Sequence, residues 1–243
     1  MDREPQIRKE IELDASPEEV WEAIATGPGI TSWFMPHTVV PGEGGKVVLS
    51  AGDFTGESVI TGWDPPKRFV VRSEGGQAFE YLIEGRAGGS TVLRFVQSGF
   101  HGHNWESEYD GMNKGWDMYF HTLAQYLTYF RGRAATFILA EGPESSARPE
   151  AWAKLLDALD LKSGVAEGDK VRLAVDGLAP VEGVADYVAP GFLGVRTSDG
   201  LYRFHGRAAF GLPIAVGHHI FAGDVDQTKA EQAWQSWLNR TFQ

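Results

Sequence analysis

A chain of 243 residues is long enough for two domains of about 100–150 residues, each with its own core. Apolar residues make up 42% and charged residues 23%, the balance of a globular chain with no disordered tail. A net charge of −11 argues against nucleic-acid and peripheral-membrane roles, and the absence of cysteine excludes disulfides, thiolate metal sites and cysteine nucleophiles.

The opening MDREPQIRKE has no apolar core, so no signal peptide is expected. No run approaches the roughly 20 apolar residues of a membrane span, and a cytoplasmic location is the expectation. Ile7 to Leu13 alternates apolar and polar, a half-buried strand. Ser16 before Pro17-Glu18-Glu19 is a strong helix start, and Val20, Trp21 and Ile24 form the inward face of that helix. Trp21 is expected to be buried. The helix stops at Gly27-Pro28, and a short second helix follows, ending in Trp33-Phe34.

Five strands are predicted next, near 46–50, 57–63, 69–73, 79–84 and 91–97. Gly52-Asp53, Asp64-Pro65-Pro66, Gly75-Gly76 and Gly88-Gly89 separate them, turn chemistry that pairs neighbours as an antiparallel meander. From Asp110 to Arg131 the apolar residues Met112, Trp116, Tyr119, Phe120, Leu123, Leu127 and Phe130 recur every three or four positions. That spacing predicts one long amphipathic helix, stopped at Gly132 and buried against the sheet.

These pieces, in this order, resemble the START/Bet v 1-like (SRPBCC, helix-grip) superfamily. Within it the match is to the group related to the Hsp90 ATPase activator. The matching residues are Ser16 to Trp21, Trp33-Phe34, Gly44-Gly45, Gly62 to Phe69, Thr91 to Phe95, Ser98 to Phe100, and Gly115-Trp116 with Leu123 and Leu127. The resemblance covers about residues 7–130. It implies a sheet curved around the last helix with a space between them. It is poorly specific for activity, because the superfamily includes lipid carriers, hormone receptors, cyclases, dehydratase-like enzymes and chaperone partners.

The second half repeats the plan. Glu167-Gly168-Asp169-Lys170-Val171 answers Glu43-Gly44-Gly45-Lys46-Val47, Gly206-Arg207-Ala208 answers Gly85-Arg86-Ala87, Pro149-Glu150 and Trp152 answer Pro17-Glu18 and Trp21, and Trp234 answers Trp116. The offset falls steadily from 132 to 118, as small deletions would produce. Strands are expected near 134–140, 170–175, 183–188, 192–197, 201–207 and 214–221, with helices over 149–161 and 227–242. A counterpart of Trp33-Phe34 is missing. The fold class is therefore α+β: two tandem helix-grip domains over 1–132 and 133–243, each a curved antiparallel sheet wrapped around a long C-terminal helix.

The main candidate site is a cavity in the first domain between sheet and long helix. Its expected lining is Trp33, Phe34, Phe54, Trp63, Phe79, Tyr81, Trp105, Met112, Trp116 and Tyr119, with Tyr81, Tyr119 and His103 as polar groups that orient a ligand. The loop from His101 to Trp105 is read as a lid. His101-Gly102-His103 with Glu106 and Glu108 could bind an ion, but histidines on a Gly-flanked loop more often face solvent, so no metal is assigned. His218 and His219 are neighbours on a strand and point to opposite faces. No Gly-x-Ser-x-Gly, Walker, dinucleotide or His-Glu-x-x-His pattern occurs, and no cofactor is expected. The expected function is binding of a small apolar or aromatic ligand. The alternatives are a cyclase- or hydrolase-like enzyme with a cavity His or carboxylate as acid/base, and an Hsp90 co-chaperone-like partner role.

Overall fold

The structure is a computed structural model that describes residues 5–100, 105–161 and 164–243, with the side chains of the long helix described from residue 109 onward. The chain divides into two compact units, Met1–Ala134 and Ala135–Gln243. The first contains β1 (Ile7–Leu13), α1 (Pro17–Ala25), α2 (Gly27–Thr31), β2 (His37–Val39), β3 (Lys46–Ala51), β4 (Phe54–Asp64), β5 (Arg68–Ser73), β6 (Ala78–Gly85), β7 (Thr91–Ser98) and α3 (Trp105–Gln125). A π-helical turn, Tyr126–Phe130, continues α3. Seven antiparallel strands run in the order β1-β7-β6-β5-β4-β3-β2.

Local chemistry sets the helix starts. Ser16 and Glu19 form a reciprocal capping box on α1, at 3.3 Å to the Glu19 N–H and 2.8 Å from the Ser16 N–H. Thr26 accepts the Gly29 N–H at 3.1 Å and caps α2. A Cβ at Gly29 would run into the Glu22 carbonyl, so only glycine lets α2 pack this closely on α1. Trp33 follows with 1% exposure, its indole N–H donating to the Ala23 carbonyl at 2.9 Å. Along α3 and its final turn, Trp116, Phe120, Leu123, Leu127 and Phe130 are buried as the spacing predicts, while Met112 and Tyr119 are half-buried.

β2 is an addition to the expected strands. Its three residues are too few to show an alternation, and its pairing with β3, Val39 opposite Val47, holds it in the sheet.

The second unit contains β8 (Thr136–Glu141), α4 (Ala151–Ala158), β9 (Lys170–Leu173), β10 (Val181–Ala189), β11 (Phe192–Arg196), β12 (Gly200–His205), β13 (Ala215–Ile220) and α5 (Gln227–Thr241). Six antiparallel strands run in the order β8-β13-β12-β11-β10-β9. With β2 removed, this is the strand order of the first sheet, as a duplicated unit requires. Among the described residues no helix lies between α4 and β9, where the first unit has α2. Asp226 caps α5 by accepting the Lys229 N–H at 3.0 Å. Trp234, Trp237, Leu238 and Phe242 are buried with Leu155, Leu173 and Phe204 in that unit's core. The fold is α+β, two helix-grip units in tandem.

Candidate functional site

The inner face of the first sheet is built row by row from strand register. Trp63, Phe69, Tyr81 and Phe95 are cross-strand neighbours on β4 to β7, with successive ring centroids 5.7, 5.9 and 5.0 Å apart. The next row is Ile60, Val71, Phe79, Gln97 and, on β1, Ile7. A register shift between Ile60 and Gly62 allows Ile60 and Trp63, three residues apart, to share this face.

α3 lays its aromatic face over these rows. Trp116 stands 4.3 Å from Phe95 and 6.2 Å from Phe79, and Phe120 is 5.0 Å from Phe95. From the segment after α2, Phe34 stacks on Trp116 at 5.3 Å and meets Tyr119 edge-on at 4.4 Å. Phe34, Trp63, Phe79, Tyr81, Trp116 and Tyr119 thus come together, and Trp33 backs them by stacking on Phe120 at 5.9 Å. Beside Trp116, a Cβ added at Gly115 would meet no described atom within 4 Å.

Other expectations fare differently. Phe54 stands apart from this group with 61% exposure: it pairs with Ala51 across the Gly52-Asp53 turn, at the tip of a hairpin. Trp21 is half-buried rather than buried, because it meets the sheet edge-on, 4.9 Å from Trp63 and 6.1 Å from Phe69. His101, His103 and Asn104, and the side chains of Trp105, Glu106 and Glu108, lie outside the described residues, and so does the lid. His218 and His219 do face opposite ways, toward Trp234 at 4.5 Å and Phe137 at 5.2 Å.

Three polar groups punctuate the aromatic surface. Gln97, 2% exposed, accepts the Trp116 indole N–H at 2.6 Å and donates to the Met112 sulfur at 3.5 Å. Tyr81 is 8% exposed, and its hydroxyl makes no hydrogen bond among the described residues. Burial pushes its pKa up, so it stays a neutral donor. His37, at the start of β2, donates from Nδ1 to the Met35 carbonyl at 2.7 Å and lies 5.6 Å from Phe34. Burial lowers its pKa against the opposing pull of that carbonyl, which leaves a neutral ring with its lone pair on Nε2. At the edge, Lys9 of β1 pairs with Asp117 of α3.

Gln97 and His37 are additions to the sequence reading. A signal for Gln97 exists, since it shares the period-2 face of Leu93 and Phe95 and is polar on an otherwise apolar face. Among the described residues no three His, Asp or Glu side chains are grouped to hold a metal ion, and no helix is long and apolar enough to cross a membrane.

Residues 14–128, which hold all the aromatic side chains of this arrangement, match the family model described as Activator of Hsp90 ATPase homolog 1-like protein. The first unit is an AHSA1-like domain. Domains of this fold commonly bind hydrophobic ligands or act as cyclases. Among solved structures, protein MLL2253 from Mesorhizobium loti is 22% identical over 52% of this chain and 98% of its own, with a TM-score of 0.47. The Aha1 dimer from Colwellia psychrerythraea is 20% identical over 53% of this chain and 99% of its own, with a TM-score of 0.45. Both are similar to about half of this chain. DynU16, from the dynemicin biosynthetic locus, is 18% identical over 98% of this chain and 95% of its own, with a TM-score of 0.46. No curated protein matches the chain.

Proposed function

We propose that the AHSA1-like domain binds a small apolar or aromatic molecule between the inner face of its sheet and the N-terminal half of α3. The observation that carries this reading is the Tyr81 hydroxyl, a donor with no partner among the described residues, set in a row of aromatic rings. A hydroxyl with no bond to the described protein, at the edge of a ring-lined surface, is available to a ligand oxygen. A ligand oxygen would take that proton, while Phe34, Trp63, Phe79 and Trp116 cover the ligand's apolar body. Binding would then be driven by apolar area leaving water, at about 25 cal/mol per Å². Met112 and the open side of Gly115 give the helix face room to adapt.

A second reading is an enzyme of the cyclase or hydrolase kind, and His37 is the observation that favours it. Its Nδ1–H is anchored on a backbone carbonyl, which orients the ring and leaves the Nε2 lone pair free of a proton beside Phe34. Native mass spectrometry of the purified full chain tests both. A co-purifying molecule that Tyr81→Phe releases supports binding. A bound molecule that changes mass over time in the parent protein, and not in His37→Gln, supports turnover. A protein-partner role predicts no bound molecule at all.

A further inference from the structure

The two sheets differ at one edge. In the first unit β2 lies against β3 and closes that side of the sheet; in the second, among the described residues, no strand lies outside β9. β9 is the counterpart of β3. Gly44 donates to the Ile60 carbonyl and Ile60 donates back to Gly45, each at 2.8 Å, and Gly168, Ala185 and Asp169 repeat both bonds at 2.8 Å. Lys46, Val47, Val48 and Leu49 of β3 then answer to Lys170, Val171, Arg172 and Leu173 of β9.

Strand alternation decides which backbone groups face outward. Val40, just past β2, donates to the Lys46 carbonyl at 2.8 Å, and Ser50 donates to the carbonyl of Pro36, just before β2, at 3.0 Å. Lys46, Val48 and Ser50 therefore turn their backbone toward β2. Their counterparts are Lys170, Arg172 and Ala174, all exposed. The outward backbone groups of these three make no hydrogen bond among the described residues. Between them, Val171 and Leu173 are buried in the core of the second unit. β9 is thus anchored on its inner face and presents main-chain donors and acceptors to water along its edge, the arrangement that accepts an added strand.

The side chains select the occupant. Lys170 and Arg172 alternate with the buried pair and so share the exposed face of the sheet. Arg172 is paired with Glu182 of β10 at 3.1 Å, and Lys170 has no ion pair among the described residues. A second β9, antiparallel across a two-fold axis, would set these cations against their own copies, which disfavours self-pairing. An acidic strand would set a carboxylate opposite each. We propose that the β9 edge binds an extended acidic segment of a protein partner, which adds antiparallel to the second sheet as β2 does to the first. Acidic residues of that segment alternate with apolar ones, the former opposite Lys170 and Arg172, the latter beside Val171 and Leu173. This site is independent of ligand binding in the AHSA1-like domain.

The test titrates the 15N-labelled full-length protein with the capped peptide Val-Glu-Val-Glu-Val, read at the Arg172 and Ala174 amides. Saturable shifts of both, and slowed exchange of the Arg172 N–H, are expected. The capped peptide Val-Lys-Val-Lys-Val is expected to bind about ten-fold more weakly, because two cross-strand charge pairs change sign. N-methylation of both glutamate nitrogens removes the donors that meet the Lys170 and Arg172 carbonyls, and binding should be lost. Lys170→Glu combined with Arg172→Glu, in a protein whose melting shows it folded, should invert the preference between the two peptides. Unmoved edge amides, equal binding of the methylated peptide, or an unchanged preference in the variant would overturn the proposal. Shifts of the same amides on raising protein concentration without peptide would assign the edge to a second copy and overturn it as well. Because the readout lies on β9, failure of ligand binding in the first unit does not affect the outcome.

Discussion

Gln97 with Trp116 and His218 with Trp234 occupy the same place in two copies of one plan, and they solve it differently. In the first unit the strand supplies an amide that both accepts and donates, so the helix indole is satisfied within the protein. One strand over, the Tyr81 hydroxyl makes no hydrogen bond among the described residues. In the second unit the strand supplies an imidazole whose lone pair is already used by the backbone, so the His218 Nε2–H has no acceptor among the described residues. The duplicated scaffold preserves the position of a polar residue facing the helix tryptophan, and the choice of that residue decides whether the strand can accept from the helix indole.

The units also differ in buried charge. The second holds the Arg203–Asp186 pair, with side-chain exposures of 2% and 5%. Asp186→Ala leaves a buried guanidinium without its counter-ion, and a loss of about 3–5 kcal/mol is expected in urea melts. The exposed Arg68–Glu80 pair of the first unit is the control, and Glu80→Ala is expected to cost under about 1 kcal/mol. Equal losses would erase the contrast.

Acid should separate the units next. Burial holds His218 well below its ordinary pKa and His205 at about 3, with repulsion from Arg207 and Arg203 adding to the latter. For a depressed histidine the unfolded chain takes up the proton first. The second unit is therefore most stable above pH 6.5 and loses up to about 1.4 kcal/mol per pH unit for each such group as pH falls below that value. His37 gives the first unit a similar dependence. Amide exchange between pH 7 and pH 5 should show protection falling faster in β12 and β13 than in β6 and β7, and the reverse order would contradict the assignment of neutral buried imidazoles.

Smaller effects sharpen the picture of the first unit. Gln97→Leu strands the Trp116 N–H, and a loss of about 1–3 kcal/mol in urea melts is expected. Trp21→Ala, at a half-buried edge contact, is expected to cost about 2 kcal/mol, less than the truncation of a fully buried tryptophan. Tyr81→Phe removes a hydroxyl that bonds to nothing described, so stability should change by less than about 0.5 kcal/mol. A large loss there would mean the hydroxyl has a structural partner after all.

Period and turn chemistry made most of the fold legible. Alternation in IRKEIEL and TVLRFVQS, Gly and Pro between strands, and the three-four spacing on α3 are local signals, and the elements appear where these signals lie. The misses have non-local causes. β2 exists because β3 offers it an edge. Phe54 has the composition of a cavity residue, but the two-residue turn beside it places it at a hairpin tip. The shared face of Ile60 and Trp63 depends on an irregularity that no spacing rule anticipates. The acceptor-poor environment of His218 could not be read at all, because its Nδ1 partner is the backbone of Arg203, on another strand.

The central claim is that the AHSA1-like domain takes an apolar ligand beneath α3. The most direct measurement is a fluorescence titration of the full-length protein with the uncharged dye N-phenyl-1-naphthylamine, repeated on Gly115→Leu. A Cβ at Gly115 would meet no described atom within 4 Å, and unchanged melting is expected of the variant. The account predicts one saturable site in the parent protein and at least a ten-fold loss of affinity in a variant that melts normally. Identical titrations of the two folded proteins would contradict it.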